Sequence, residues 1–156
     1  MVNDLEQLPS FTCVGLEAEG SLNEAREWIP RLWSEFWNRA GEIGHSLGDP
    51  VWGLMSDPEI HLAPWGGERG KYLAARQVPD GTLPEGDWKA WIIPEMAWLR
   101  LPCRADQIHA TLEVARDFQK NNPDWRWGGA VHEYYPGTFK NPATDEFHLM
   151  VGLLPR

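Results

Sequence analysis

Two helix-forming stretches, each set between strand-forming ones in the same order, constrain this chain more than any other feature. In residues 28–43, Trp28, Ile29, Leu32, Trp33, Phe36, Trp37, Ala40 and Ile43 recur at one-, three- and four-residue steps. That spacing makes a wide apolar stripe at the helical period. Ser21 through Glu24 (SLNE) reads as a capping box ahead of it. Pro30 predicts either a kink or a helix that starts there, and Gly41 and Gly44 mark its end. Before the helix lies the strand FTCVGLEAEG (11–20); after it come VWGLMSDP (51–58) and KYLAARQV (71–78). The second half repeats the order. WKAWIIPEMAWLRLPCR (88–104) alternates from Glu95, with Ala97, Leu99 and Leu101 on one face and Met96, Trp98 and Arg100 on the other. ADQIHATLEVARDFQKNN (105–122) is a helix with Ile108, Leu112, Ala115 and Phe118 inward, ended by Asn121-Asn122-Pro123. GGAVHEYYP (128–136) and FHLMVGLLP (147–155) close the chain as strands.

Each half therefore reads strand, helix, strand, strand. VWGLMSDP and WGGAVHEYYP both follow a helix, carry Trp-Gly near the start and end in proline. The expectation is an α+β fold of duplicated βαββ units related by a pseudo-twofold axis. It has antiparallel sheets, two helices and a cleft at the seam between the halves. The halves span about 10–78 and 88–156 of a single domain, 1–156, a length that supports a real core.

Ten tryptophans in 156 residues is the most unusual compositional fact. They either pack the core or, in part, line a cavity for flat aromatic molecules. The net charge of −9 argues against phosphate-neutralising DNA binding and anionic membranes, and is compatible with cationic ligands. Cys13 and Cys103 are too few for a disulfide framework or a metal site and read as reduced core thiols. MVNDLEQLPS at the start lacks the basic region and apolar run of a secretory signal, so the expected location is cytoplasmic.

In AVHEYYP (130–136), strand alternation puts Glu133 on the same face as Val131 and Tyr135. The pattern leaves two readings open: a carboxylate facing water, or one set in an apolar pocket. His132 points to the other side, so a direct His–Glu pair is not expected. Trp33 and Trp37, four apart, stack on one helix face and form either a pocket wall or a helix–sheet contact. Trp98 shares its face with Met96, an adaptable pair for varied ligand shapes. Trp91, Tyr135 and Phe147 are further candidate ligand contacts. Asp57, Glu59 and His61 belong to a solvated turn around Pro58. No metal or cofactor is expected, for no glycine-rich phosphate loop follows a strand and no serine or cysteine has a nucleophile's context.

The chain resembles the GyrI-like family, the effector-binding domain also found fused to AraC-type and MerR-type regulators. The resemblance rests on VGLEAEG, IPRLWSEFW, the W-G-L of VWGLMSDP, YLAARQV, PEMAWL, and above all HEYYP followed by a terminal strand ending LLP. It implies the duplicated βαββ fold and a multidrug-binding pocket between the halves for flat, lipophilic, often cationic aromatics. It also implies a pocket-floor glutamate in the penultimate strand, which Glu133 matches. With no helix-turn-helix in the sequence, the resemblance is to stand-alone members. Several of these look like drug-sequestering proteins, which implies a link to drug resistance, and a subset hydrolyses cyclopropane-containing DNA-alkylating natural products. Glu133 would then meet a cation or, in a hydrolase, activate a water.

Overall fold

The computed structural model describes residues 5–44, 46–139 and 144–156. The first half contains β1 (Glu6–Leu8), β2 (Phe11–Ser21), α1 (Ala25–Arg39), β3 (Val51–Ser56) and β4 (Arg69–Val78). The second contains β5 (Lys89–Ile93), β6 (Met96–Cys103), α2 (Ile108–Asn121), β7 (Trp125–Trp127), β8 (His132–Tyr135) and β9 (Phe147–Pro155). Short 3₁₀ turns lead into both helices and follow α1. Ser21 caps the first turn through its hydroxyl, which accepts from the Asn23 N–H at 3.2 Å. α1 runs through Pro30 rather than starting at it. Pro30 has no N–H to offer the carbonyl one turn back, and the helix is held instead by the apolar face it buries.

All strand pairs are antiparallel, in the order β1-β6-β9-β8-β3-β4-β2-β5, with β7 also on β9. The two units share one internal order, β3-β4-β2 and β8-β9-β6, and they meet where β3 pairs β8. This is the duplicated βαββ arrangement, with its pseudo-twofold at the β3–β8 seam. Two details depart from the sequence reading. Residues 88–104 break at Pro94-Glu95 into two strands. β5 crosses to pair β2 of the first half, whereas β1, from the first half, pairs β6 of the second. The edge strands are thus exchanged. In addition, the strand expected over 128–136 shortens to β8, and Trp127 belongs to β7. The Trp-Gly pairs at 52–53 and 127–128 therefore occupy non-equivalent places.

Alternation along the strands produces two buried faces. On one, α1 packs on β2 and β4, and α2 packs on β6. Leu32 and Phe36 meet Val14, Leu16 and Val78 beneath α1. Ala115 meets Leu99, Leu101 and Leu149 beneath α2. On the other face no helix packs among the described residues. There Trp91 and Ile93 of β5 share a cluster with Met96 and Trp98 of β6, although these strands lie near opposite ends of the sheet. The sheet curls on itself to bring them together, as a half-barrel does. Cys13 and Cys103 are buried free thiols. Among the described residues, no helix is long and apolar enough to cross a membrane.

Candidate functional site

Each helix covers its own half, and neither reaches over the seam. A cleft of about 610 Å³ remains there, between α1 and the start of α2, with β3 and β8 beneath it. Trp33 and Trp37 form one wall, at the one-turn spacing of a helix. Their rings lie 6.3 Å apart and 28° from parallel. Tyr135, Phe139 and Phe147 form the opposite side, with Tyr135 stacked on Phe147 at 5.0 Å. Trp33 meets Tyr135 edge to face at 5.8 Å and joins the two sides. Trp37 stands at the mouth, 52% exposed.

Glu133 lies at the floor, only 9% exposed. Its Oε1 accepts two phenolic hydrogen bonds, from Tyr72 at 2.6 Å and from Tyr135 at 3.0 Å. The Trp33 indole N–H donates to the Tyr72 oxygen at 2.9 Å, extending the chain to the cleft wall. Among the described residues nothing donates to Oε2. Burial raises the Glu133 pKa because it disfavours the charged form, and the two phenol bonds oppose that rise. Burial, and then the neighbouring carboxylate, push Tyr72 and Tyr135 well above the ordinary phenol value, so both remain donors.

Gly53 makes this cluster possible. It pairs with Glu133 across the seam and with Ala74 of β4 on its other side. A Cβ at Gly53 would sit 1.9 Å from the Tyr72 hydroxyl and 2.6 Å from Glu133 Oε1. The glycine of VWGLMSDP is thus the space through which Tyr72 reaches the carboxylate.

The structure brings Glu133, Trp33, Trp37, Tyr135 and Phe147 to the cleft. It places Trp91, Met96 and Trp98 elsewhere, and the expectation that they contact a ligand there is corrected. All three lie in the cluster on the helix-free face. Trp91 is 3% exposed, and its indole N–H donates to Glu17 at 2.9 Å. Trp98 is fully buried, with its ring 6.0 Å from that of His132. Met96 fills the space left by Gly128 and Gly152. The split of Met96 and Trp98 from Leu99 and Leu101 is as alternation requires. Both faces of β6 are apolar and buried, however, so alternation did not say which one served the cleft.

Of the ten tryptophans, two line the cleft. The others pack the clusters or tie down chain: Trp28 donates to Ser21 O, and Trp65 to Ser56 O and Lys71 O. His132 faces away from Glu133, as its parity predicts. It is buried, its Nδ1 accepts from the Met55 N–H at 3.0 Å, and burial lowers its pKa to about 3. Asp57 caps a turn by accepting from the Glu59 and Ile60 N–H groups, and no metal-binding cluster occurs among the described residues. The residues that sequence reading missed are Tyr72, Arg76, Phe139 and Gly53. Tyr72, Ala74 and Arg76 share one face of KYLAARQV by simple parity. That this face opens on the cleft depends on the pairing of β4 with β3.

The model of the GyrI-like family, described as the GyrI-like small molecule binding domain, matches residues 1–64. No curated protein matches the sequence. Several solved structures share the fold. A structure of SAV2435 bound to tetraphenylphosphonium is 13% identical, with TM-score 0.67, over 99% of this chain and 94% of that one. A putative transcription regulation protein from Staphylococcus aureus MU50 is 13% identical, with TM-score 0.66, over 98% of each chain. EcmrR in a complex with DNA is 12% identical, with TM-score 0.68, over 97% of this chain and 57% of that one. The resemblance read from the sequence is borne out: residues 1–64 match the GyrI-like model, and almost the whole chain shares its fold with these solved structures.

Proposed function

We propose that the cleft binds and sequesters flat, lipophilic, often cationic aromatic compounds, with Glu133 as the charged anchor. One observation carries this reading. A carboxylate sits at the floor of an aromatic cleft with one oxygen held by two phenols and the other uncommitted. An incoming cation would restore the ionised form that burial disfavours, and the aromatic walls would add cation–π attraction of roughly 0.5–2 kcal/mol per face. Stacking needs no particular hydrogen-bond pattern, which suits broad selectivity. That SAV2435 binds tetraphenylphosphonium, a tetrahedral lipophilic aromatic cation, agrees with the charge and lipophilicity of this reading, not with its flatness. The net charge of −9 favours cations over nucleic acid as partners, and we place the protein in the cytoplasm, without a cofactor.

The test is Glu133→Gln, which keeps shape and removes charge. Affinity for tetraphenylphosphonium, read by tryptophan quenching, should fall by about 1–3 kcal/mol. Affinity for neutral triphenylphosphine oxide should change much less. Equal losses for both, or none, would remove Glu133 as an anchor.

A second reading is favoured by the same free oxygen. A carboxyl with a raised pKa can act as a general base near neutrality, so Glu133 could activate water against a strained cyclopropane-bearing alkylator held between the aromatic walls. Product analysis separates the two. Ring-opened, hydrated product that disappears in Glu133→Gln marks a hydrolase, and unchanged compound marks a binder.

A further inference from the structure

Arg76 is the one basic group among the described residues that line the cleft. It lies on β4, opposite Val51 of β3, and faces the cleft. Its guanidinium sits 5.4 Å over the Trp37 ring. Its Nε is buried and has no acceptor. Of the three half-buried arginines, Arg39 and Arg100 bind carboxylates, whereas Arg76 makes no ion pair among the described residues. This holds although acidic residues outnumber basic ones by 23 to 14. Asp49 lines the same cleft and is not paired with it. Glu133 is not paired with it either: its hydrogen-bond partners are Tyr72 and Tyr135, and its Cα lies roughly 12 Å away, two strand spacings across and two residues along.

The Trp37 ring lies against the guanidinium, and the two terminal Nη groups, which unlike Nε are not buried, are left for an acceptor. A ligand carboxylate, which accepts two parallel N–H bonds, matches that fork in geometry and charge. We propose that Arg76 is an acceptor subsite, and that the preferred ligands are aromatic zwitterions, with a cationic portion toward Glu133 and a carboxylate toward Arg76. This rests on the reading of the cleft as a ligand site, and it narrows that reading from cations to molecules carrying both charges. The bland alternative is that Arg76 merely covers Trp37. That alternative predicts no dependence on a ligand's acidic group.

The test uses rhodamine B, which carries a free carboxylate at pH 7.5, and its ethyl ester, in which that charge is replaced by a neutral ester bearing a small ethyl group. Binding is followed by fluorescence anisotropy. The wild-type protein should hold the free acid at least about fivefold more tightly than the ester. Arg76→Met should abolish that preference, read as the ratio of the two affinities in the variant. Arg76→Lys should keep part of it, since the charge remains and the fork is lost. In Glu133→Gln the preference should survive while both dyes weaken. Equal binding of acid and ester by the wild type overturns the subsite and leaves the cleft reading standing; this comparison needs no variant to fold. Retention of the preference in Arg76→Met also overturns it. Failure of both dyes to bind overturns the cleft reading along with it.

Discussion

The two faces of the sheet are both rich in aromatic residues, yet one is closed and the other open. On the helix-free face, Phe11, Trp52, Trp91 and Trp98 are almost wholly buried. On the helix face, Trp33, Trp37, Tyr135 and Phe147 line a cleft. The difference lies in what covers each face. A sheet that curls on itself brings its own side chains together, so large rings fill the space between distant strands. The other face is covered by two separate helices, each anchored to its own half, and the seam between them receives neither. His132 and Glu133, adjacent on β8, express the contrast. His132 enters the closed face neutral, with its ring nitrogen satisfied by a backbone N–H. Glu133 enters the open face with one oxygen committed and one not.

The comparison can be broken most decisively at Trp98. Trp98→Ala should cost about 3–5 kcal/mol of stability, because a fully buried ring leaves a cavity that rigid strands close only in part. Denaturant unfolding reads this directly. Dye affinity of the folded fraction should stay within about twofold, since additivity holds for distant sites. A large affinity loss would show that the two faces are not independent.

Acid should sharpen the contrast next. The His132 pKa is about 3 in the folded protein and about 6.5 in an unfolded chain. In that window the unfolded state holds the extra proton, so stability is fully present above about pH 6.5 and falls as pH drops toward 3. At about 1.4 kcal/mol per pH unit, the change from pH 6.5 to 4.5 is roughly 2–3 kcal/mol. Glu133 has the opposite sign. Its raised pKa contributes stability below the ordinary carboxyl value, and that contribution is lost as pH rises through the folded value. The paired carboxylates Glu6 and Asp87, held low by Arg100 and Arg39, add their own acid losses only at lower pH. Urea midpoints taken every half unit should therefore fall between pH 6.5 and 4.5, and the slope should shrink in His132→Gln. An unchanged slope in that variant would show that the closed face does not hold its histidine neutral.

The smallest effect belongs to Trp37. It is half exposed at the mouth, so Trp37→Ala should alter stability by no more than about 0.5–1 kcal/mol. Affinity for a cationic aromatic should fall by about 0.5–2 kcal/mol, the worth of one aromatic face. A titration alongside a melting curve tests both at once. A variant that loses stability and keeps affinity would place Trp37 with the closed-face rings in role, despite its position.

Much of this molecule was determined by local rules. The helical period put Trp33 and Trp37 on one stripe. The strand period put His132 and Glu133 on opposite sides, and Met96 and Trp98 opposite Leu99 and Leu101. The repeated order of elements implied the two βαββ units. Tertiary structure alone decided which buried face stayed open, because an alternating pattern is unchanged when its two faces are exchanged. It also decided that Tyr72 reaches Glu133 through the space at Gly53 and that Arg76 stands beside Trp37. The first contact follows from the registers of β4 on β3 and β3 on β8, the second from the packing of α1 on β4; they join residues 61 and 39 positions apart. The exchange of β1 and β5 is of the same kind, since a strand's period states that it pairs and carries no information on which distant edge it pairs with.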